Sequence, residues 1–194
     1  MARPVLIVMV KAPRPGRVKT RLAASIGQVP AAWWYRHQVA ALLRRLRDPR
    51  WDLLLAVSPD AEGLASRVWP GAFHRVGQGA GDLGARMARL LRRGPPGPRL
   101  LIGSDIPGIQ PRHIAEGFRA LAARPAAIGP APDGGYWAIG LGRRHAVPPE
   151  FLAGVRWSGP HARGDTLTRL PGPVATLATL RDVDTVEDLR APKS

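Results

Sequence analysis

The chain has 194 residues, 45% of them hydrophobic, and 22% charged. That length and balance fit a globular domain with a sizeable core and exclude a disordered or low-complexity chain. There is no cysteine, which excludes a disulfide framework and a thiolate metal centre. The formal net charge is +15, carried almost wholly by arginine, since Lys11, Lys19 and Lys193 are the only lysines. The arginines are spread along the chain, on the outer faces of expected helices (Arg44, Arg45, Arg47; Arg89, Arg92, Arg93), and aromatic residues are not interleaved with them. That pattern reads as a solvated basic surface and argues against a nucleic-acid groove, while still steering anionic small ligands inward.

The N-terminus pairs one charge with a short apolar run, and it lacks an A-x-A-like cleavage site. It reads as a first strand, Val5–Val10, rather than a leader, and no run reaches the roughly 18 apolar residues of a membrane span. The expectation is a cytoplasmic protein without a membrane partner. Next comes KAPRPGRVKTRL, where Lys11, Arg14, Arg17, Lys19 and Arg21 place five cations in eleven residues. Two prolines and Gly16 bar a regular element at its start. A rigid basic loop after a first strand suits phosphate groups, which backbone N–H groups and cationic side chains can meet together. It lacks the Walker A spacing. The plain alternative is a solvated basic turn.

Tyr35, Val39, Leu42, Leu43 and Leu46 follow helical spacing and predict an amphipathic helix, with Trp33 and Trp34 near its start as packing residues. Asp52–Val57 reads as the second strand, Asp60–Arg67 as a weak helix, and His74–Val76 as a short third strand. In QGAGDLGARM, Asp82 can cap a helix whose Leu83, Met87, Leu90 and Leu91 share one face; a glycine turn beside a ligand is the other reading. Pro95–Pro98 is a turn into Leu100-Leu101-Ile102, a buried strand followed by Gly103, Ser104 and Asp105. Strands of open α/β sheets present ligands at their carboxyl ends, so Asp105 is a candidate functional carboxylate. Pro111 opens a helix with Ile114, Phe118, Leu121 and Ala122 on its apolar face.

Ala126–Gly129 and Trp137–Leu141 read as strands joined by PAPDGGY. Asp133-Gly134-Gly135 is either a hairpin turn or a place where backbone approaches a ligand. Val155–Leu170 carries a probable helix, and His161 there has no partner at ligand spacing. Val174–Leu180 is the last strand, after which Thr185 and Asp188 form a capping-box pattern and leave Asp182 and Asp184 free.

Alternating strands and helices predict one α/β domain over residues 1–194, with a mainly parallel sheet flanked by helices. The chain has only 14 acids, yet Asp105, Asp133, Asp182 and Asp184 all follow expected strands. Oxygen donors without cysteine or paired histidine suit Mg²⁺ or Mn²⁺, with phosphates and water completing the shell.

KAPRPGRVKTRL, QGAGDLGARM, GSDIPG, GPAPDGGYWAIGL and DVDTVEDL, in this order, resemble a bacterial family of small GT-A-fold transferases. Its members are usually named glycosyltransferases, some linked to arsenosugar biosynthesis. The first loop is similar to that of 2-phospholactate guanylyltransferases, and the DVDTVEDL ending to that of molybdenum-cofactor nucleotidyltransferases. The resemblance implies a Rossmann-like nucleotide-diphospho-sugar transferase fold that takes a nucleotide sugar or nucleoside triphosphate and a small-molecule acceptor. By that analogy Lys11, Gly16, Lys19, Arg21 and Ser104 meet phosphates, and Asp105 and Asp184 hold the metal. Asp133, Gly134, Gly135 and Tyr136 line the sugar or acceptor pocket, with Asp133 and Lys19 as catalytic candidates. The chain departs from these relatives in lacking an L-x-G-G opening, in placing Pro132 before Asp133, and in offering one aspartate in GSDIPG instead of D-x-D. Glycosyl and nucleotidyl transfer both remain open, as does a nucleotide- or nucleic-acid-binding protein without turnover. No residue pattern sets the oligomeric state.

Overall fold

A computed structural model describes residues 3–71, 73–93, 97–142, 147–148 and 150–190. The predicted turn at Pro95–Pro98 lies partly outside them, and Lys193 wholly so. Strand β1 (Val5–Lys11) leads through the basic loop to helices α1 (Thr20–Ile26) and α2 (Gln28–Arg45). Then come β2 (Asp52–Ser58), α3 (Asp60–Ala65), β3 (His74–Gly77), α4 (Leu83–Arg93) and β4 (Arg99–Gly103). Helix α5 (Pro111–Ala123) precedes β5 (Ala126–Pro130) and β6 (Tyr136–Leu141), and α6 (Ala162–Leu167), β7 (Val174–Thr176) and α7 (Val186–Arg190) complete the order.

The strands form one sheet in the order β3-β2-β1-β4-β6-β5-β7. Only β6 runs against its neighbours; the β3–β2, β2–β1, β1–β4 and β5–β7 pairs are parallel. The predicted mainly parallel α/β sheet is therefore present. Its central strands are apolar on both faces, as burial under helices on both sides requires. In β1, Leu6, Val8 and Val10 join the core beneath α2 and α5, while Val5 and Ile7 join the core beneath α4. Each such leucine or isoleucine contributes about 1.5–3 kcal/mol relative to exposure.

Three elements differ from expectation. Helix α1 begins at Thr20, inside the stretch read as loop, because the two prolines and Gly16 restrict only its first half. Helix α6 spans only Ala162–Leu167 of the predicted 155–170 region, with the exposed His161 at its N-cap. Strand β7 stops at Thr176, although Leu177 N–H still donates to Ile128 O (2.9 Å) and Leu180 N–H to Pro130 O (3.1 Å).

This topology gathers one edge. The carboxyl ends of β1, β2, β3, β4 and β5 and the amino end of β6 lie along it, since β6 is antiparallel. The β5–β6 connection closes with Ala131 N–H donating to Gly135 O (3.1 Å) and Gly135 N–H donating to Asp133 Oδ1 (2.9 Å). Gly134 takes φ +87, and a Cβ there would stand 2.5 Å from Pro160 Cα. The turn needs glycine because the 158–163 segment crosses directly over it, and Arg163 N–H donates to Gly134 O (3.1 Å).

Gly134→Ala is expected to lower stability by about 1–3 kcal/mol in urea denaturation, from left-handed strain and the backbone clash. Gly159→Ala, where a Cβ meets nothing within 4 Å, is the matched control and stays within about 0.5 kcal/mol of the parent.

Candidate active site

A cleft of about 630 Å³ opens along the carboxyl edge of the sheet, a volume typical of small-molecule sites. Its β1 side carries Lys11, Arg17 and Lys19 from the basic loop, and Gln78, Gly81 and Asp82 from the glycine turn. Ser104 and Asp105 form its centre, and Asp133, Gly135, Tyr136, Trp157 and Ser158 its far side. A second concavity, of about 790 Å³, sits at the opposite edge among Arg3, Asp52 and His74. There Arg3 Nη1 already pairs with Asp52 at 3.1 Å, and Asp48 with the neighbouring Arg50 at 2.8 Å, so both of its carboxylates are engaged.

Lys19 is held from several sides of the cleft. It sits at the N-cap of α1 in the left-handed region (φ 49, ψ 47), a conformation that costs a non-glycine residue about 1–3 kcal/mol. Its side chain is only 3% exposed, with the ammonium 5.9 Å from the Trp34 ring centroid. Nζ donates to Val183 O (2.6 Å) and Asp184 Oδ1 (2.8 Å), and lies 3.2 Å from Asp105 Oδ2. The ammonium thus joins the first loop, the end of β4 and the C-terminal segment. Val183 N–H donates to Asp105 O (3.0 Å), locking that segment beside the same residue.

Asp105 combines an open edge with a buried one. Its side chain is 43% exposed, yet Oδ1 is buried without a hydrogen-bond partner. Desolvation raises the pKa of its carboxyl, and the Lys19 charge opposes that rise. Asp182 is raised too, first by desolvation and then by Asp184 and Asp133, so the structure brings these late aspartates near one another. Thr185 and Asp188 form the predicted capping box: Thr185 N–H donates to Asp188 Oδ2 (2.9 Å), and Asp188 N–H to Thr185 Oγ1 (3.4 Å). Asp82 caps α4 by accepting from Ala85 N–H (2.8 Å) and also lines the cleft, so both readings of it meet at one residue.

Of the five loop cations, Lys11, Arg17 and Lys19 line the cleft. Arg14 instead pairs with Glu62, and the exposed Arg21 reaches Asp184 Oδ2 at 3.5 Å. Gly16, at φ +75, shapes the loop beside the Gln28 side chain and does not line the cleft. Gly134 also lies behind the wall that Asp133, Gly135 and Tyr136 form.

Two polar residues went unnoticed as site elements in the sequence. Tyr35 reads there as one apolar position of α2, but its hydroxyl accepts from Lys11 N–H (2.9 Å) and pairs with Ser104 Oγ (3.0 Å). Burial, and then the nearby Asp105 charge, push its phenol pKa upward, so it stays neutral. The signal available was a polar-tipped ring on an apolar face, which needs a partner when buried. Gln78 is 3% exposed, and its Nε2 donates to Val10 O (3.1 Å) and Ala56 O (2.9 Å), fixing the ends of β1 and β2 beneath the cleft.

Asp105 and Asp184 offer carboxylate oxygens only, and among the described residues no group of three or more His, Asp or Glu gathers as a metal cage. This hard-donor pair, whose members meet at the Lys19 ammonium, fits Mg²⁺ or Mn²⁺ with phosphates and water completing the shell, and lacks the nitrogen and sulfur donors of usual zinc sites.

Tyr35→Phe keeps the ring but strips a partner from Lys11 N–H and Ser104. It is expected to cost about 1–3 kcal/mol in urea denaturation. An unchanged midpoint would contradict this account of the cleft floor.

No curated protein matches the chain in sequence. Among solved structures, a protein from Desulfovibrio desulfuricans G20, provisionally named a nucleotide-diphospho-sugar transferase, is 33% identical with a TM-score of 0.85. That match covers 97% of this chain and 85% of the other. The manganese complex of Rv0371c from Mycobacterium tuberculosis H37Rv shares the fold at 18% identity and TM-score 0.58, with 97% of each chain covered. CMP:2-keto-3-deoxy-manno-octonic acid synthetase complexed with CTP shares it at 14% identity and TM-score 0.57, with 97% of this chain and 96% of that chain covered. The nucleotide-diphospho-sugar transferase-like fold is thereby shown. The profile of DUF2064, described as an uncharacterized protein conserved in bacteria, matches residues 41–159, and the chain belongs to that family.

Proposed function

We propose that this protein is a metal-dependent transferase that binds a nucleotide donor at the β1 side of the cleft and a small-molecule acceptor at the β6 side. The observation that carries the reading is the meeting, at one sheet edge, of a cationic loop (Lys11, Arg17, Lys19) with the Asp105–Asp184 pair. The name of the Desulfovibrio relative, and the CTP and manganese held by the two more distant neighbours, support it.

Our first reading is glycosyl transfer from a nucleotide sugar. The acceptor hydroxyl attacks the sugar C1, the bond from C1 to the diphosphate oxygen breaks, and the hydroxyl proton passes to the Asp133 carboxylate. The Gly135 N–H bond to Asp133 Oδ1 holds that carboxylate in the turn, leaving its other oxygen as base. Lys11 and Arg17, which line the cleft from the basic loop, neutralise the departing nucleoside diphosphate. A magnesium or manganese ion on Asp105 and Asp184 would add positive charge at the same phosphates. Nucleotidyl transfer is the second reading, favoured by the single aspartate at the end of β4 and the lysine bridged to it. There an acceptor phosphate oxygen attacks the α-phosphorus of a nucleoside triphosphate and pyrophosphate leaves.

Product analysis separates the two, since nucleoside diphosphate marks the first and pyrophosphate the second. Asp105→Asn is expected to lose metal-dependent turnover by at least about 100-fold while keeping its circular-dichroism spectrum; full activity would refute the assignment. Asp133→Asn is expected to lower kcat by about 100- to 10,000-fold if glycosyl transfer is the reaction.

A further inference from the structure

We propose that the Lys19 ammonium is the resident counter-ion of the Asp105–Asp184 pair, and that a divalent cation binds there by displacing it. The inference rests on the reading of those aspartates as the cation-holding pair. An ammonium has three donors and no acceptor, and Lys19 has three oxygens facing it, at 2.6, 2.8 and 3.2 Å. It is saturated without any ligand. Its side chain is 3% exposed, and its backbone is held in a left-handed conformation that α1 and the loop impose. This is a built position, not a surface lysine in passing contact.

The charge balance gives the consequence. Lys19, Asp105 and Asp184 sum to one negative charge, so a divalent cation added to them leaves an excess of positive charge. The cation and the ammonium would compete for the same carboxylate oxygens and repel each other. Phosphate groups reverse both effects: they offer the ammonium new acceptors beside Lys11 and Arg17, and they complete the shell of the cation. Metal alone therefore binds weakly, metal and phosphates strengthen one another, and linkage makes that coupling reciprocal. The lysine keeps the two aspartates compensated until a donor arrives, and it discourages the cation from occupying the cleft by itself.

The test uses the full chain and Mn²⁺ alone, with free Mn²⁺ read by electron paramagnetic resonance. Lys19→Met, which keeps the length of the side chain and removes the charge, is expected to bind Mn²⁺ at least tenfold tighter than the parent. Lys19→Met/Asp105→Asn is expected to lose that gain. Equal or weaker binding by folded Lys19→Met overturns the inference alone. Absence of Mn²⁺ binding from the parent and every variant overturns the cation assignment and the inference with it. A second measurement uses the unmodified protein. The sequence contains only Lys11, Lys19 and Lys193 as lysines, so mass spectrometry resolves acylation of each amine. Without metal, Lys19 is expected to be protected from acetic anhydride relative to Lys11, and saturating Mn²⁺ to raise its labelling several-fold. Unchanged protection with Mn²⁺ bound contradicts displacement.

Discussion

The contacts of the Lys19 ammonium with Asp105, Asp184 and Val183 close the cleft from three directions at once. Those to Val183 and Asp184 span 164 and 165 residues of chain, so neither the loop nor the C-terminal segment holds its position through local structure alone. A buried lysine is costly unless opposite charge and acceptors meet it, and the two carboxylates and one carbonyl supply that need. Asp105 depends on it in turn: desolvation, and then the Asp184 charge, favour the protonated carboxyl, and the Lys19 ammonium opposes both.

Beneath that bridge, the sheet provides an edge with two different halves. On the β1 side, parallel strands deliver loops that run on into helices, and these loops carry the cations and backbone N–H groups. On the β6 side, the antiparallel strand and its short turn bring Asp133 and Tyr136 to the same edge, with Trp157 and Ser158 laid across them. Tyr35 and Gln78 fasten the floor between the halves through main-chain groups of β1 and β2 and the Ser104 hydroxyl beyond β4. The division suits a reaction between an anionic donor and a second, less charged molecule, which is the basis of the proposed transfer chemistry.

Most of the sheet was legible because its strands are short apolar runs punctuated by glycine and proline, and because the faces of α2, α4 and α5 repeat at helical spacing. Asp105 was legible as a site candidate for the same reason: an acid after an apolar strand is conspicuous. The partners of Lys19 were not, because a contact between residues 19 and 184 leaves no trace in local pattern. Gly134 showed the opposite failure. Its φ was foreseeable from the turn, but the reason for glycine is the Pro160 backbone crossing it, a tertiary contact outside the reach of the motif. Trp33 and Trp34, adjacent in sequence, part company in the fold: Trp34 packs on the core near Lys19, while Trp33 is 60% exposed and stacks on His37.

The measurement that bears most directly on the central claim is a thermal-shift panel of nucleotide sugars and nucleoside triphosphates, each with and without Mg²⁺ or Mn²⁺. A ligand that binds only the folded chain stabilises it by about 2.7 kcal/mol at 100 times its dissociation constant, which a melting curve resolves. The account predicts a metal-dependent shift with a nucleotide donor; a nucleotide sugar would assign glycosyl transfer, and a triphosphate alone nucleotidyl transfer. A flat panel, with no shift from any nucleotide at any metal concentration, would contradict the reading of this cleft as a nucleotide-donor site.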